Sequence, residues 1–289
     1  MKKNIQWVAL TCVLFSNHLF AAQYKREPES CFPISKTTYE AGNKSVTGLS
    51  EREFNQIIDN AANVITPEIK RLLNKNLIIE KRWADATVDA FATRDDQNNP
   101  VIVVNGGLAR HPQMTRDAFL LLICHEVGHH LGGAPKMLRG NSNLRSWSSA
   151  EGQADYYATS KCLPLFFKSG LDNKSTEGDL DPNDYKMALA KCRDNTCARI
   201  TLAGLAASNM FSSLVDGTPE PKLTVSDSTR VEKTLYKHPN PQCRLDTYLS
   251  GASCELGPEE PFDSVDPKVG ACVKDSGARP SCWFQLKDF

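Results

Sequence analysis

The stretch "CHEVGHHLGG", residues 124 to 133, places three histidines and one glutamate within six consecutive positions. If it is helical, His125 and His129 lie four residues apart on one face, so both imidazoles can bind one metal ion. Glu126 then projects beside the ion, where it can take a proton from water. His130 is rotated by about 100° from His129 and is predicted to pack elsewhere. This HExxH spacing is typical of zinc peptidases.

A catalytic zinc needs a third protein ligand and keeps its fourth position open for water. One extended form of the motif takes a histidine at the position where Pro135 stands, and proline cannot bind a metal. The stretch "SSAEGQADYYA" instead offers Glu151 and Asp155, one helical turn apart. Glu151 is predicted to complete a site for one zinc ion per chain, and Asp155 to accept a hydrogen bond from a ligand histidine. The alternative is that Glu151 only caps its helix, as the partner of Ser148.

Two helices must carry these residues. Thr115 is the expected N-cap of the HExxH helix, which stops at Gly132. The second helix is predicted to begin near Ser148 and to end before Pro164. A third region, residues 182 to 211, is also largely helical.

The remaining elements are an early helix and a few strands. Ser50 and Glu53 have capping-box spacing before an amphipathic helix, and Pro67 predicts the start of a second segment. The β-rich stretches "LIIEKRWADATVDAFAT" and "PVIVVNGG" are predicted to be antiparallel strands. Long helices with few strands predict an α+β fold.

The N-terminus has the features of a secretory signal peptide, residues 1–22, with cleavage after Ala22. Residues 23–257 are predicted to form the catalytic domain, followed by a cysteine-containing tail, residues 258–289. No membrane span is expected after cleavage. The chain carries 34 Lys plus Arg and 34 Asp plus Glu, and this balance argues against a nucleic-acid partner. An exported protein is predicted, in the periplasm or secreted, with an unknown oligomeric state.

The cysteines fit an oxidising compartment. Cys124 lies in the most apolar helical run and is predicted to be a free, buried thiol. Near neighbours, Cys243 with Cys254 and Cys272 with Cys282, are the suggested pairs. The eight cysteines expected to form four disulfides are Cys31, Cys162, Cys192, Cys197, Cys243, Cys254, Cys272 and Cys282.

Cys192 and Cys197 are five residues apart and would point to different faces of one unbroken helix. Either the helix breaks at Asp194-Asn195 or these two cysteines pair elsewhere.

Four blocks follow one another along roughly residues 50 to 250: "DAFAT", "VIVVNGGL", HEVGH with EGQAD, and "HPNPQCR". On these blocks the chain resembles gluzincin metallopeptidases, and more narrowly the soluble exported branch of the HtpX and CAAX prenyl protease family. The resemblance implies a zincin-like domain with a small antiparallel sheet, the HExxH helix and a second ligand-bearing helix. It also implies an auxiliary role for Arg244 after the late His-Pro. The strand with Val101, Val103 and Asn105 would be the edge to which an extended substrate adds.

The predicted function is a zinc-dependent endopeptidase acting on envelope or extracellular proteins, with Glu126 as general base. His238 and Tyr157 are candidate donors to the developing oxyanion. The alternative is a non-catalytic or latent zinc-binding envelope protein, such as a chaperone-like or binding module. In a latent enzyme, the tail or a loop residue such as His111 or His238 would occupy the open zinc position.

Overall fold

The computed structural model describes residues 25–26, 37–42, 47–139, 144–171 and 181–289. The predicted signal peptide and Cys31 lie outside the described residues. The fold is α+β, as expected, with a small sheet on one side of a helical core. None of the helices in the described ranges combines the length and the apolar character that a membrane crossing requires.

The first helix, α1, runs from Glu51 to Leu73, and its capping box between Ser50 and Glu53 is formed. The prediction of a second segment at Pro67 is wrong, because Pro67 lies inside one continuous helix. One buried face runs past the proline on both sides and keeps the helix on the core. Its residues are Phe54, Ile57, Ile58, Ala61, Ile65 and Ile69.

The main sheet has the order β1-β3-β4-β2. Its strands are β1 (Lys25–Arg26), β2 (Ile78–Arg82), β3 (Ala90–Arg94) and β4 (Pro100–Asn105). β3 is antiparallel to β4, as predicted, but β2 is parallel to β4. The stretch predicted as one strand therefore forms two, because the chain turns between them. Arg110 fixes this turn by donating to the carbonyls of Trp83 and Asp85.

The short helix α2 (Gly106–Ala109) follows β4 directly, and α3 (Arg116–Leu131) follows it after Thr115. Thr115 caps α3 by accepting from the Ala118 N–H, and Gly132 is the C-cap, both as predicted. Nearly every side chain of α3 is buried, so α3 is the central helix of the core. It contacts α1, the main sheet and the helices that follow it.

A two-stranded hairpin, β5 (Lys136–Leu138) with β6 (Arg145–Ser149), leads into α4. The second predicted helix begins three residues later than expected, at Glu151. It consists of α4 (Glu151–Tyr157), a π-helical turn (Ala158–Cys162) and α5 (Leu163–Ser169), so the predicted end before Pro164 is wrong. Pro164 lies in the first turn of α5, where a proline is tolerated. The helices that complete the core are α6 (Pro182–Lys191), α7 (Asn195–Ser213) and α8 (Pro241–Ser253).

Four disulfides join the described cysteines: Cys124–Cys162, Cys192–Cys197, Cys243–Cys282 and Cys254–Cys272. Cys124 is therefore not a free thiol. The suggested pairs, Cys243 with Cys254 and Cys272 with Cys282, are also wrong. Cys243 lies in the first turn of α8 and Cys254 just beyond its end. The helix holds them roughly 16 Å apart, too far for one disulfide.

The helix that contains Cys192 and Cys197 in sequence is broken between them, which was the first of the two predicted alternatives. α6 ends at Lys191 and α7 begins at Asn195 with Asp194 as its N-cap. The break lets the two cysteines bond to each other.

The C-terminal tail, residues 258–289, packs on the rest of the chain rather than standing apart from it. Its Trp283 is among the largest fully buried side chains. Its backbone also pairs with the segment between α7 and α8, through Val231 N to Ser281 O and Leu235 N to Trp283 O.

Candidate metal centre

α3 brings His125, Glu126 and His129 into the middle of the protein, and all three side chains are buried. The two imidazole rings lie at right angles, with centroids 4.9 Å apart. They occupy one face of the helix, as the spacing of four predicts. Glu126 follows the first of them directly and is fully buried.

Glu151 reaches both imidazoles from the first position of α4. Its Oε2 lies 3.2 Å from His125 Nε2, and its Oε1 lies 3.7 Å from His129 Nε2. One ligand atom from each of these three residues lies within 4.8 Å of the others, so the group can hold a metal ion. The alternative that Glu151 caps its helix for Ser148 is wrong, because Ala150 is the N-cap and Ser148 lies in β6.

The donor set suits zinc. Nitrogen and oxygen ligands lie about 2.0–2.2 Å from zinc, so two tetrahedral ligand atoms stand roughly 3.3 Å apart. The separations of 3.2 and 3.7 Å from Glu151 to the two imidazoles are close to that value. Two imidazoles with one carboxylate are also a set that zinc commonly takes.

His125 is oriented by a buried network on its far side. Its Nδ1 lies 2.6 Å from Asp155 Oδ1, so Nδ1–H donates and Nε2 faces Glu151. Arg244 on α8 donates two hydrogen bonds to the same carboxylate, at 2.9 and 2.7 Å. The Tyr248 hydroxyl donates a further one at 2.8 Å. Asp155 therefore accepts the predicted hydrogen bond from His125, and Arg244 is linked to His125 through the Asp155 carboxylate.

His129 is oriented by the hairpin instead. Its Nδ1 lies 2.9 Å from the Ser149 carbonyl oxygen and 3.0 Å from Ser148 Oγ. The carbonyl can only accept, so Nδ1 carries the proton and Nε2 is left for the metal. Sequence reasoning missed this contact, as it missed Tyr248. Any residue can offer a backbone carbonyl, so the sequence does not mark the Ser149 contact. Ser148 and Ser149 shortly before Glu151 are only a weak indication of such a contact.

The two ligand histidines have opposite pKa shifts. Burial lowers the pKa of His125, but the Asp155 carboxylate outweighs it and raises the pKa to about 9. Burial lowers the pKa of His129 to about 4. The pKa of Glu151 falls well below its usual value, because the neighbouring imidazoles outweigh the effect of burial. In the metal-free protein His125 thus holds a proton that a metal ion must displace.

The close approach of the two ligand helices depends on Gly128. A Cβ at this position would meet the Cα and the carbonyl oxygen of Ala154 on α4, each at 2.8 Å. Glycine at the fourth position of HEVGH therefore lets α4 pack directly on the metal-binding face of α3. Val127, beside it, packs in the core.

His130 is not a ligand, as predicted. Its ring stacks on Trp147 of β6, with centroids 4.6 Å apart, and its Nε2 lies 3.4 Å from the Val101 carbonyl oxygen. Arg94 of β3 covers Trp147, at 4.7 Å from its ring centroid. This stack joins the main sheet, the hairpin and α3.

The expectation of a substrate-binding edge at Val101, Val103 and Asn105 is wrong. These residues belong to β4, which pairs with β3 on one side and with β2 on the other. All of β4 is buried. A continuous apolar run such as "PVIVV" is typical of a central strand, so the run itself argues against the edge position that the resemblance implied.

Of the three other residues considered for the site, the structure places only His238 next to the candidate ligands. His238 belongs to it, since its Nδ1 lies 3.3 Å from Glu151 Oε2 and its side chain is 27% exposed. Tyr157 packs near Phe262 on the side of α4 that faces α1, in a pocket with Leu72. His111 lies 3.2 Å from Ser213 Oγ on α7.

A second group of close donor atoms, from Asp227, Cys243 and Cys282, is not a metal site, because the two sulfurs are bonded to each other. Comparison of the chain with family models, with curated proteins and with solved structures returned no match.

Proposed function

We propose that this protein is an exported, zinc-dependent endopeptidase with a zincin-like catalytic domain of the gluzincin type. One observation carries the proposal: Glu151, from a separate helix, converges on the two imidazoles of α3. If the HExxH motif had arisen by chance, no third ligand would be expected to lie beside its two histidines. Glu126 supplies the general base that peptide hydrolysis requires.

When bound, zinc would polarise the scissile carbonyl and lower the pKa of water toward neutrality. Glu126 would take the proton of the attacking water and pass it to the departing amine. Asp155 and the Ser149 carbonyl hold the Nδ1 protons of His125 and His129 and thereby keep both Nε2 atoms available. Arg244 and Tyr248 fix the Asp155 carboxylate in that position.

The disulfides support an exported location, because such bonds persist in the periplasm and outside the cell but are rare in the cytosol. We propose proteins or peptides of that compartment as substrates. The burial of Glu126 weighs against a purely structural zinc site. A zinc site that only stabilises the fold has no need of a buried carboxylate beside its ligands, whereas peptide hydrolysis needs a general base there.

The test is elemental analysis of the oxidised protein, followed by hydrolysis of an unfolded protein substrate. Wild type should bind one zinc ion per chain, Glu151→Ala should lose it, and Glu126→Gln should keep it. Cleavage should require zinc and fall by at least about 100-fold in Glu126→Gln. A folded wild-type protein without affinity for zinc would exclude the proposal. Zinc binding without cleavage would favour the non-catalytic module.

A latent form of the same enzyme is a second candidate, and the position of His238 favours it. An imidazole 3.3 Å from a ligand oxygen can occupy the position that water needs. The same position suits a donor to the oxyanion. His238→Ala separates the two: its activity rises if His238 blocks the metal and falls if His238 assists the reaction.

A further inference from the structure

The C-terminal tail contacts the first turn of α4 next to the ligand Glu151. Trp283 of the tail is fully buried and lies against Gly152. A Cβ on Gly152 would come within 2.3 to 2.7 Å of three indole carbons. The indole therefore fills the space directly behind the residue that follows Glu151, and only glycine fits there.

Gln153, the next residue, connects three parts of the chain. Its Nε2 donates to the Gly132 carbonyl at 2.7 Å, at the end of α3. Its Oε1 accepts from Arg279 of the tail at 2.8 Å. Through Gln153 the tail is joined both to the helix of Glu151 and to the end of the helix of His129.

Arg279 is an expensive residue to bury for stability alone. Its acceptors are neutral oxygens: Gln153 Oε1 and the carbonyls of Ala134 and Pro267. Burial accordingly lowers the pKa of its guanidinium to about 10. The guanidinium also lies over the Phe284 ring, at 3.9 Å from its centroid, but a buried charge whose hydrogen bonds all go to neutral groups still contributes little net stability. Its fork of donors instead fixes the separation between the tail and α4.

α4 has few means of fixing its own position. Its N-cap, Ala150, has no side chain that can cap the helix. The Glu151 N–H donates to the Tyr236 carbonyl at 3.2 Å, and the Ala150 N–H donates to the Pro135 carbonyl at 2.8 Å. Both acceptors lie outside the helix, so its start is set by neighbouring segments.

Two disulfides hold the tail in place. Cys282, beside Trp283, is bonded to Cys243 at the start of α8, and Cys272 is bonded to Cys254 at its end. Between them α8 carries Arg244, which holds Asp155. The tail and α8 are thus one cross-linked unit that contacts α4 at Gly152, Gln153 and Asp155.

We propose that Gln153, Arg279 and Trp283 are positioning residues that set Glu151 against His125 and His129, so that the tail determines the affinity of the metal site. This inference rests on the proposed zinc-dependent function. It predicts that breaking these contacts weakens zinc binding by more than the accompanying loss of stability explains.

The experiment compares Gln153→Leu, Arg279→Met and Arg279→Lys with wild type in the full oxidised chain. Zinc affinity is measured by competition with a chelator, and the visible spectrum of the cobalt-substituted protein reports the ligand geometry. Gln153→Leu and Arg279→Met should each lose about 10- to 100-fold in zinc affinity, the range for partners of metal ligands. Their cobalt spectra should shift. Arg279→Lys keeps the charge without the fork and should recover only part of the affinity.

Arg199→Met is the matched control. Arg199 forms a bidentate pair with Asp117 in the first turn of α3, at 2.7 and 2.8 Å. Its loss should lower the thermal midpoint of the metal-free protein and leave zinc affinity and the cobalt spectrum unchanged.

Wild-type zinc affinity and spectra in Gln153→Leu and Arg279→Met would overturn the inference and leave the proposed function intact. Failure of wild type to bind zinc would remove the proposed function first. If either of these variants does not fold, the zinc affinity and cobalt spectrum of Arg279→Lys decide whether Arg279 positions the site. An unchanged affinity and spectrum there would also count against a positioning role.

Discussion

The two helices that supply the metal ligands are built in different ways. α3 runs without interruption over 16 residues, has a side-chain cap at Thr115 and is buried on nearly every side. α4 is seven residues long, has no side-chain cap and continues into a π-helical turn. α3 is thus defined by its own sequence, whereas the position of α4 is imposed by the segments around it.

This difference shows how a three-ligand site can be assembled from unequal parts. The spacing of His125 and His129 is fixed by helix geometry alone. The position of Glu151 relative to them depends on contacts from distant parts of the chain, such as Arg244 to Asp155 and Trp283 to Gly152. Changes in these supports should therefore affect the metal more than changes within α3 that spare both its ligands and its contact with α4.

The largest effect is expected from Asp155→Asn. The change removes the partner of the buried Arg244 and weakens the orientation of His125. Leaving a buried charge unpaired costs about 3–5 kcal/mol, and zinc affinity should fall by about 10- to 100-fold. Denaturant unfolding and chelator competition measure the two effects.

Ser148→Ala is the control for that change on the other imidazole. The Ser149 carbonyl still accepts from His129 Nδ1, so the cost should stay below about 1 kcal/mol. Equal losses of affinity in the two variants would mean that the two supports do not differ as the structure indicates.

The second effect concerns the covalent link between the helices. Cys124, beside His125, is bonded to Cys162 in the π-helical turn, 38 positions further along the sequence. The Cys192–Cys197 bond spans five residues. Loop-closure entropy predicts a loss of about 4 kcal/mol for Cys124→Ala with Cys162→Ala, against about 2 kcal/mol for the control pair Cys192→Ala with Cys197→Ala.

Only the first pair should also weaken zinc binding, because only that bond joins the two helices that carry the ligands. Unfolding curves and zinc titrations of the two double variants check this. A loss of zinc affinity that is the same in both would show that the disulfides act through general stability.

A third effect follows from the contact of Gly128 with Ala154. Gly128→Ala places a methyl group 2.8 Å from backbone atoms of α4 and should cost about 1–3 kcal/mol through overpacking. α4 must move outward, so zinc affinity should fall as well. Val127→Ala removes core volume next to the same position without pushing on α4. It should lower stability by a similar amount, about 0.5–3 kcal/mol, and spare the affinity.

The fourth effect is a pH dependence of zinc affinity that belongs to His125. Its pKa is raised to about 9 in the metal-free protein, so it is protonated at neutral pH, and zinc must displace that proton. Zinc affinity should therefore rise about tenfold per pH unit from pH 6 to 8 and level off near pH 9. Isothermal titration in buffers of different ionisation enthalpy should detect about one proton released per zinc. A flat profile would mean that His125 is already neutral.

Local patterns in the sequence predicted local features of the structure. The Ser50 capping box, the Thr115 cap and the stop at Gly132 are confirmed, because each depends on residues within one helical turn. The orientation of His130 away from the other histidines is confirmed for the same reason.

Predictions that depended on distant neighbours were often wrong. The edge strand at Val101 lies in the interior of the sheet, and Cys124 is in a disulfide rather than free. The edge position was implied by the family resemblance, whereas the free thiol was inferred from an apolar pattern, which does not specify which neighbour will cover a residue. The pairing of Cys243 required knowledge of where the tail runs.

The sequence by itself determined that His125 and His129 share one face with Glu126 beside them, because a spacing of four residues in a helix places side chains on one face whatever surrounds it. The sequence also named Glu151 as a candidate, but could not distinguish a ligand from a cap. Only the tertiary structure brought Glu151 to 3.2 Å from His125 and attached the tail behind it. The approach of two separate helices depends on packing, disulfides and buried hydrogen bonds between residues far apart in the chain.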